Sequence, residues 1–195
     1  VAISAGVVGS AVLDGFSVSN GNSSISYLPS PLVNTESISY DKGGGIYITE
    51  SSPVIKNCSV RNNYAYNDGG GMYLYHSTPV VANCMIAGNL ANKGGGIALY
   101  DLSPASFNNC IITGNKAYIA SNILSHWGGG VYIHYTNPTF SNCTIAGNYH
   151  VSGNTGDGIF TYGVPVIKNS IIERLYSVPV NSSDVSYSYV SGGHP

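Results

Sequence analysis

Short stretches of alternating apolar and polar residues run along the whole chain, broken at regular intervals by Gly, Pro and Asn. The segment from Gly69 to Asn89 shows the pattern best. Met72 and Leu74 alternate with Tyr73 and Tyr75, and Val81 alternates with Ala82. Asn83-Cys84 breaks the two-residue phase, so the chain must bend there. Ile86 returns the apolar side to the same face, and Asn89 closes the unit. A period of two over a few residues marks a half-buried strand. Three such strands joined by bends turn Met72, Leu74, Val81, Cys84 and Ile86 toward one interior.

The unit recurs. Triple glycines stand at Gly43–Gly45, Gly69–Gly71, Gly94–Gly96 and Gly128–Gly130, and Asn-Cys pairs at Asn57-Cys58, Asn83-Cys84, Asn109-Cys110 and Asn142-Cys143. The closing residues are Asn62, Asn89, Asn115 and Asn148, and a weaker copy follows with Gly156-Asp157-Gly158, Pro165 and Asn169-Ser170. Successive cysteines are 26, 26 and 33 residues apart, and Ser170 takes the same slot 27 residues after Cys143. A period of this length without amphipathic helices predicts a β-solenoid with three short strands per turn. Stacked at the usual strand spacing of about 4.8 Å, like residues sit on like. Ile55, Val81, Phe107, Phe140 and Ile167 form one internal ladder, and Val60, Ile86, Ile112, Ile145 and Ile172 another.

The register extends outward from the obvious copies. Val12 to Asn20 aligns with Val54 to Asn62, placing Phe16 in the Cys slot, and Val185 to Val190 aligns with Ile167 to Ile172, placing Ser188 there. The expectation is one all-β domain over residues 1–195, a parallel β-helix of about seven coils of roughly 26 residues. Val1 falls within a strand pattern, so the chain is expected to be a portion of a longer protein.

Composition fits this picture and removes several functions. Only 8% of residues are charged, against about 25% in an average globular protein. With seven Lys plus Arg and a net charge of −2, the chain lacks a basic footprint for nucleic acid. No apolar run approaches the roughly 20 residues of a membrane-spanning helix. The four cysteines occupy one repeat slot, which favours stacked free thiols. Parallel stacking holds their Cβ atoms near the strand spacing, longer than the about 3.8 Å of a disulfide, and no paired C-x-x-C offers a zinc site. Asn beside each Cys tolerates a left-handed bend, and its amide can bond to the rungs above and below.

These residues resemble secreted right-handed parallel β-helix repeat proteins of the pectate-lyase-like superfamily. The subgroup repeats "SPxIxNCxIxGN…GGGIY", matched by Ser52-Pro53 to Asn62, Thr78-Pro79 to Asn89, Ser103-Pro104 to Asn115 and Asn137-Pro138 to Asn148. A looser likeness to chlamydial polymorphic outer-membrane protein repeats runs through the Gly-Gly-x-Ile element. The resemblance implies a right-handed solenoid exported to the cell surface or beyond. It implies no particular ligand, because fold does not decide function.

Candidate chemistry lies on the outward positions of the first strand. One column is Tyr47, Tyr73, Ala98, Tyr132 and Phe160, and the next is Thr49, Tyr75, Tyr100, His134 and Tyr162. Beyond them come Glu50, His76, Asp101, Tyr135 and Gly163. The expectation is a flat exposed aromatic strip edged by acid and imidazole groups. Such area usually means a partner. Rings stack on the apolar faces of sugars, so a polysaccharide or glycan fits, and the module would be adhesin-like. The same Tyr columns also stabilise a sheet through cross-strand contact. Replacing Tyr73, Tyr75 and Tyr132 by Ala is expected to abolish glycan retention while leaving the fold intact.

Two inserts interrupt the stack, between Asn20 and Tyr40 and within Ala117–Trp127. The second carries His126 and the single Trp, Trp127, which either joins the strip or anchors its own loop. Glu50, His76 and Asp101 are the weak catalytic candidates for a polysaccharide lyase or glycosidase. Two rungs between Glu50 and Asp101 is the upper end of an inverting pair's separation, and Arg61 and Arg174 lie away from the strip. Catalysis is therefore not the expected role. No cofactor is implied, and calcium, the one ion open to such a fold, has no supporting motif; Asp157, standing in a triple-glycine slot, is either a local metal ligand or, more often for such a position, a turn residue. Apolar outward residues, Met85, Ile111 and Ile171 on the third strand and Val54, Val80 and Val166 on the second, leave a competing role as a filament or surface-layer subunit built from copies of itself.

Overall fold

A computed structural model describes residues 1–3, 11–24, 41–118, 127–150, 156–177, 184–186 and 188–191. The body of both inserts, 25–40 and 119–126 with His126, lies outside the described residues.

Every named strand pairs in parallel with the equivalent strand of the next coil. The first sheet stacks Ala2–Ile3, Ile46–Thr49, Met72–Tyr75, Ile97–Tyr100, Val131–His134, Ile159–Thr161 and Leu175–Ser177. The second runs from Val12–Asp14 to Asp184–Ser186, and the third from Ser17–Ser19 to Tyr189–Ser191, each with seven strands. These are the seven coils expected, and the predicted ladders pair in register: Val81 with Ile55 and Phe107, Ile86 with Val60 and Ile112. Phe107 and Phe140 stack at 5.0 Å inside the solenoid. Leu13 pairs with Ile55 and Val190 with Ile172, so the marginal first and last coils also keep the register.

The expectation of three strands per coil needs correction. A fourth sheet of two-residue strands stacks Asn22–Ser23, Tyr64–Ala65, Leu90–Ala91, Lys116–Ala117 and Tyr149–His150. Two residues are too few for alternation to show in sequence. Their inward members Ala65, Ala91, Ala117 and His150 are buried, and three of the four are Ala, because the coil turns tightly there toward the glycines. A Cβ on Gly70 would lie 2.5 Å from the carbonyl oxygens of Leu90 and Gly95, so the middle glycine is imposed by close backbone approach.

Two asparagine ladders hold the bends, and they differ. Asn57, Asn83, Asn109 and Asn142 have φ of 53–54° and exposed side chains, with the Asn83 amide donating to Asn57 Oδ1 at 3.2 Å. The closing ladder is buried. Asn89 Nδ2 donates to Asn115 Oδ1 at 2.9 Å and to the Val60 carbonyl at 3.0 Å, while Asn115 Oδ1 also accepts from the Asn89 backbone N–H at 3.0 Å. In the second coil this ladder uses Asn63, one residue beyond the Asn62 expected. Asn62 instead occupies the left-handed turn filled by Gly88, Gly114 and Gly147 in the next coils. The four cysteines are buried free thiols, and Cys58 Sγ donates to the Lys56 carbonyl at 3.1 Å. Burial pushes the Cys58 thiol up from its ordinary value.

Candidate functional site

The first sheet places its outward residues in the columns expected. Tyr47, Tyr73, Ala98, Tyr132 and Phe160 are Cα partners in sequence, and Tyr176 extends the column by one coil. Thr49, Tyr75, Tyr100 and His134 form the next column. Glu50, His76, Asp101 and Tyr135 follow with positive φ, at the bend where the strand ends.

The flat exposed strip is not what these columns build. Tyr73, Tyr132 and Phe160 are no more than 4% exposed and form, with Ala98, a second apolar cluster outside the solenoid interior. The cause is ring packing. Ala98 leaves a gap in the column, and Tyr100 leans into it from the neighbouring column, 5.5 Å from both Tyr73 and Tyr132. Trp127 lies flat on Phe160 at 4.9 Å and 7°. Tyr47 stacks on Tyr73 at 5.3 Å, and Tyr176 on Phe160 at 5.1 Å. Lysine side chains complete the cover, Lys42 over Tyr73 and Lys93 over both Trp127 and Tyr132, within 5.6 Å of each ring. A ring pointing out of a solenoid is therefore still a core residue where its neighbours are rings too.

The cover belongs to a column that motif reading passed over. Lys42, Asp68, Lys93 and Trp127 each precede a triple glycine and pair with one another across coils. Asp68 is buried and accepts the Tyr100 hydroxyl at 3.0 Å. Burial raises its carboxyl above the usual range, with Lys93 and Lys42 pulling the other way. Burial likewise raises the phenols of Tyr73, Tyr100 and Tyr132, which keeps them neutral. The legible signal was the residue before each glycine triplet, which alternates cation, acid, cation and ring.

Accessible chemistry is concentrated at the bend edge. Tyr135 is 67% exposed. Its ring meets His134 at 4.4 Å and Tyr162 at 5.9 Å. Asp101 Oδ1 lies 3.2 Å from His134 Nδ1, a contact in which the imidazole N–H donates to the carboxylate and orients the ring. Tyr75 and His76 stack at 4.0 Å, with His76 and Glu50 exposed. Among the sequence candidates, Asp101, His134, Tyr135 and Tyr162 are brought into contact. Tyr73, Tyr132 and Phe160 are withdrawn from solvent, and Trp127, Tyr47, Tyr75, Tyr100 and Tyr162 pack partly against them. Asp157, buried, is engaged by Arg174. Among the described residues no group of three or more His, Cys, Asp or Glu is placed to hold a metal ion.

The family model for the right handed beta helix region matches residues 2–149. The chain belongs to the right-handed β-helix family. No curated protein and no solved structure matches it. The match spans most of the β-helix, from its first strand through the coil that carries His134 and Tyr135. It accounts for the solenoid, and the chemistry of the edge has to be argued from this β-helix's own residues.

Proposed function

We propose that this β-helix is an extracellular or cell-surface module that binds carbohydrate without transforming it, along the bend edge of its first sheet. The observation that carries the reading is the exposed Tyr135 ring beside Tyr162 and the paired His134 and Asp101. Flat rings cover the apolar face of a pyranose, and a carboxylate and an imidazole N–H take its hydroxyls, which is the mixture of apolar area and few polar groups that ligand sites use. Further rings and polar groups, Tyr75, His76 and Glu50, follow along the same edge at successive coils, about 4.8 Å apart. An extended chain of sugars running along the stack meets them in turn.

A lyase or glycosidase would use Asp101 or Glu50 as its acid or base. Asp101 is committed to His134, and Glu50 lies two coils away with His76 between them. That favours binding over turnover. The test is retention on a panel of immobilised polysaccharides, with chromatography of the supernatant for released oligosaccharides. Retention without product is expected; product release contradicts the non-catalytic reading, and no retention on any polysaccharide contradicts binding.

A further inference from the structure

We infer that two copies of the chain associate face to face through the third sheet, with their coils running in opposite directions. The face has two outward columns. The first reads Ser17, Ser59, Met85, Ile111, Thr144, Ile171 and Tyr189. Met85, Ile111, Ile171 and Tyr189 are between 44% and 66% exposed, four large apolar side chains in one row on a protein whose other sheets bury most of theirs. The second column has Arg61 near one end, Glu173 near the other, and Ala87, Thr113 and Ala146 between them. Small side chains in the middle let a second flat sheet approach closely.

Charge decides the arrangement. A two-fold axis along the strand Ile111–Thr113 reverses the order of coils and leaves each column facing its own counterpart. Arg61 then meets Glu173 of the second copy, and Glu173 meets the second Arg61. Ile111 meets Ile111, Met85 meets Thr144, and Ile171 meets Ser59. An axis along the solenoid would instead bring Arg61 near Arg61 and Glu173 near Glu173, which repels. Among the described residues Arg61 forms no ion pair and is exposed, so its charge is available. Glu173 is held on this face by the Gly147 N–H, which donates to Oε2 at 2.8 Å. The self-complementary pattern is that of a closed dimer and not of a filament.

Size limits the affinity. Seven strands about 4.8 Å apart and three residues of about 3.3 Å each give a footprint of roughly 29 by 10 Å. That is small beside the about 800 Å² per partner of a standard interface, so a weak dimer with Kd on the order of tens of micromolar is expected. Salt should weaken it, because the end pairs are exposed.

Sedimentation equilibrium of the full chain tests this directly. The wild type should self-associate to a dimer over about 10 µM to 1 mM. Ile111→Lys, which sets two cations on the two-fold axis, should weaken the dimer at least tenfold. Arg61→Glu should weaken it severalfold, and Arg61→Glu with Glu173→Arg should restore it to within about twofold of wild type, since charge complementarity is regained with the signs exchanged. Circular dichroism melts confirm that each surface variant stays folded, and the exchanged-charge pair keeps the test open if Ile111→Lys does not. A chain that stays monomeric throughout, a dimer indifferent to Ile111→Lys, or a double variant no better than Arg61→Glu overturns the inference.

Discussion

Two outward rows of the first sheet, one in mid-strand and one at the bend three residues further on, repeat with the same coils and have opposite fates. Tyr73, Tyr132 and Phe160 stand one position from the strand's interior residues, flanked on one side by Lys42, Lys93 and Trp127 and on the other by Tyr100. They are enclosed. Tyr135 and His76 stand at the bend, with left-handed backbones that swing them away from the sheet, and they remain open to solvent. Pointing outward from a solenoid is therefore not the same as being exposed. The flanking column decides which aromatic residues stabilise and which are available to a ligand.

The enclosed column carries the greater share of stability. Tyr132→Ala should destabilise the protein by about 3–5 kcal/mol, the usual loss for a large buried ring. Chemical denaturation reads the change, and a loss below about 1 kcal/mol would mean that the second cluster is not a core. This reverses the expectation that Tyr73 and Tyr132 can be removed with the fold intact.

The two asparagine ladders repeat the contrast on a smaller scale. Asn89→Leu leaves the buried Asn63 backbone N–H and one amide N–H without their shared acceptor, Asn89 Oδ1, and a loss of roughly 3 kcal/mol is expected. Asn83→Gly removes an exposed amide at a left-handed position that glycine accepts, so under about 1 kcal/mol should be lost. Equal losses at the two positions would erase the distinction between ladders.

A pH series sharpens the role of Asp68. Its folded carboxyl titrates above the unfolded value because it is buried. The folded state then holds a proton that the unfolded state has released, so stability falls as pH rises from the unfolded carboxylate range through the raised folded value. Asp68→Asn, which still accepts the Tyr100 hydroxyl, should melt at a higher temperature than wild type at neutral pH, and the two should converge below about pH 4. A variant less stable than wild type at neutral pH would show that Lys42 and Lys93 outweigh the burial of the charge.

The coils, their register, the internal ladders and the free thiols were legible because each repeats a residue type at a fixed interval. Phe107 over Phe140 and Cys58 below Cys84 need only the period to be placed. The fourth sheet was not legible, since Tyr64–Ala65 and its equivalents are too short to show a phase. Asn62 and Asn63 cannot be told apart by residue type, because two adjacent Asn fill two different slots, one a glycine-like turn and one a buried bridge. The enclosure of the ring column does not show in the alternation, because burial depends on Tyr100 leaning over Ala98 and on Lys93 lying across Trp127. Those are contacts between columns, and no single column's sequence records them.

If carbohydrate binds along the bend edge, an edge variant must lose glycan affinity while keeping its stability. Tyr135→Ala should lower affinity for the best-retained polysaccharide about tenfold or more in calorimetric titration, with a melting temperature within a few degrees of wild type. Unchanged affinity in that folded variant would contradict the placement of the binding surface.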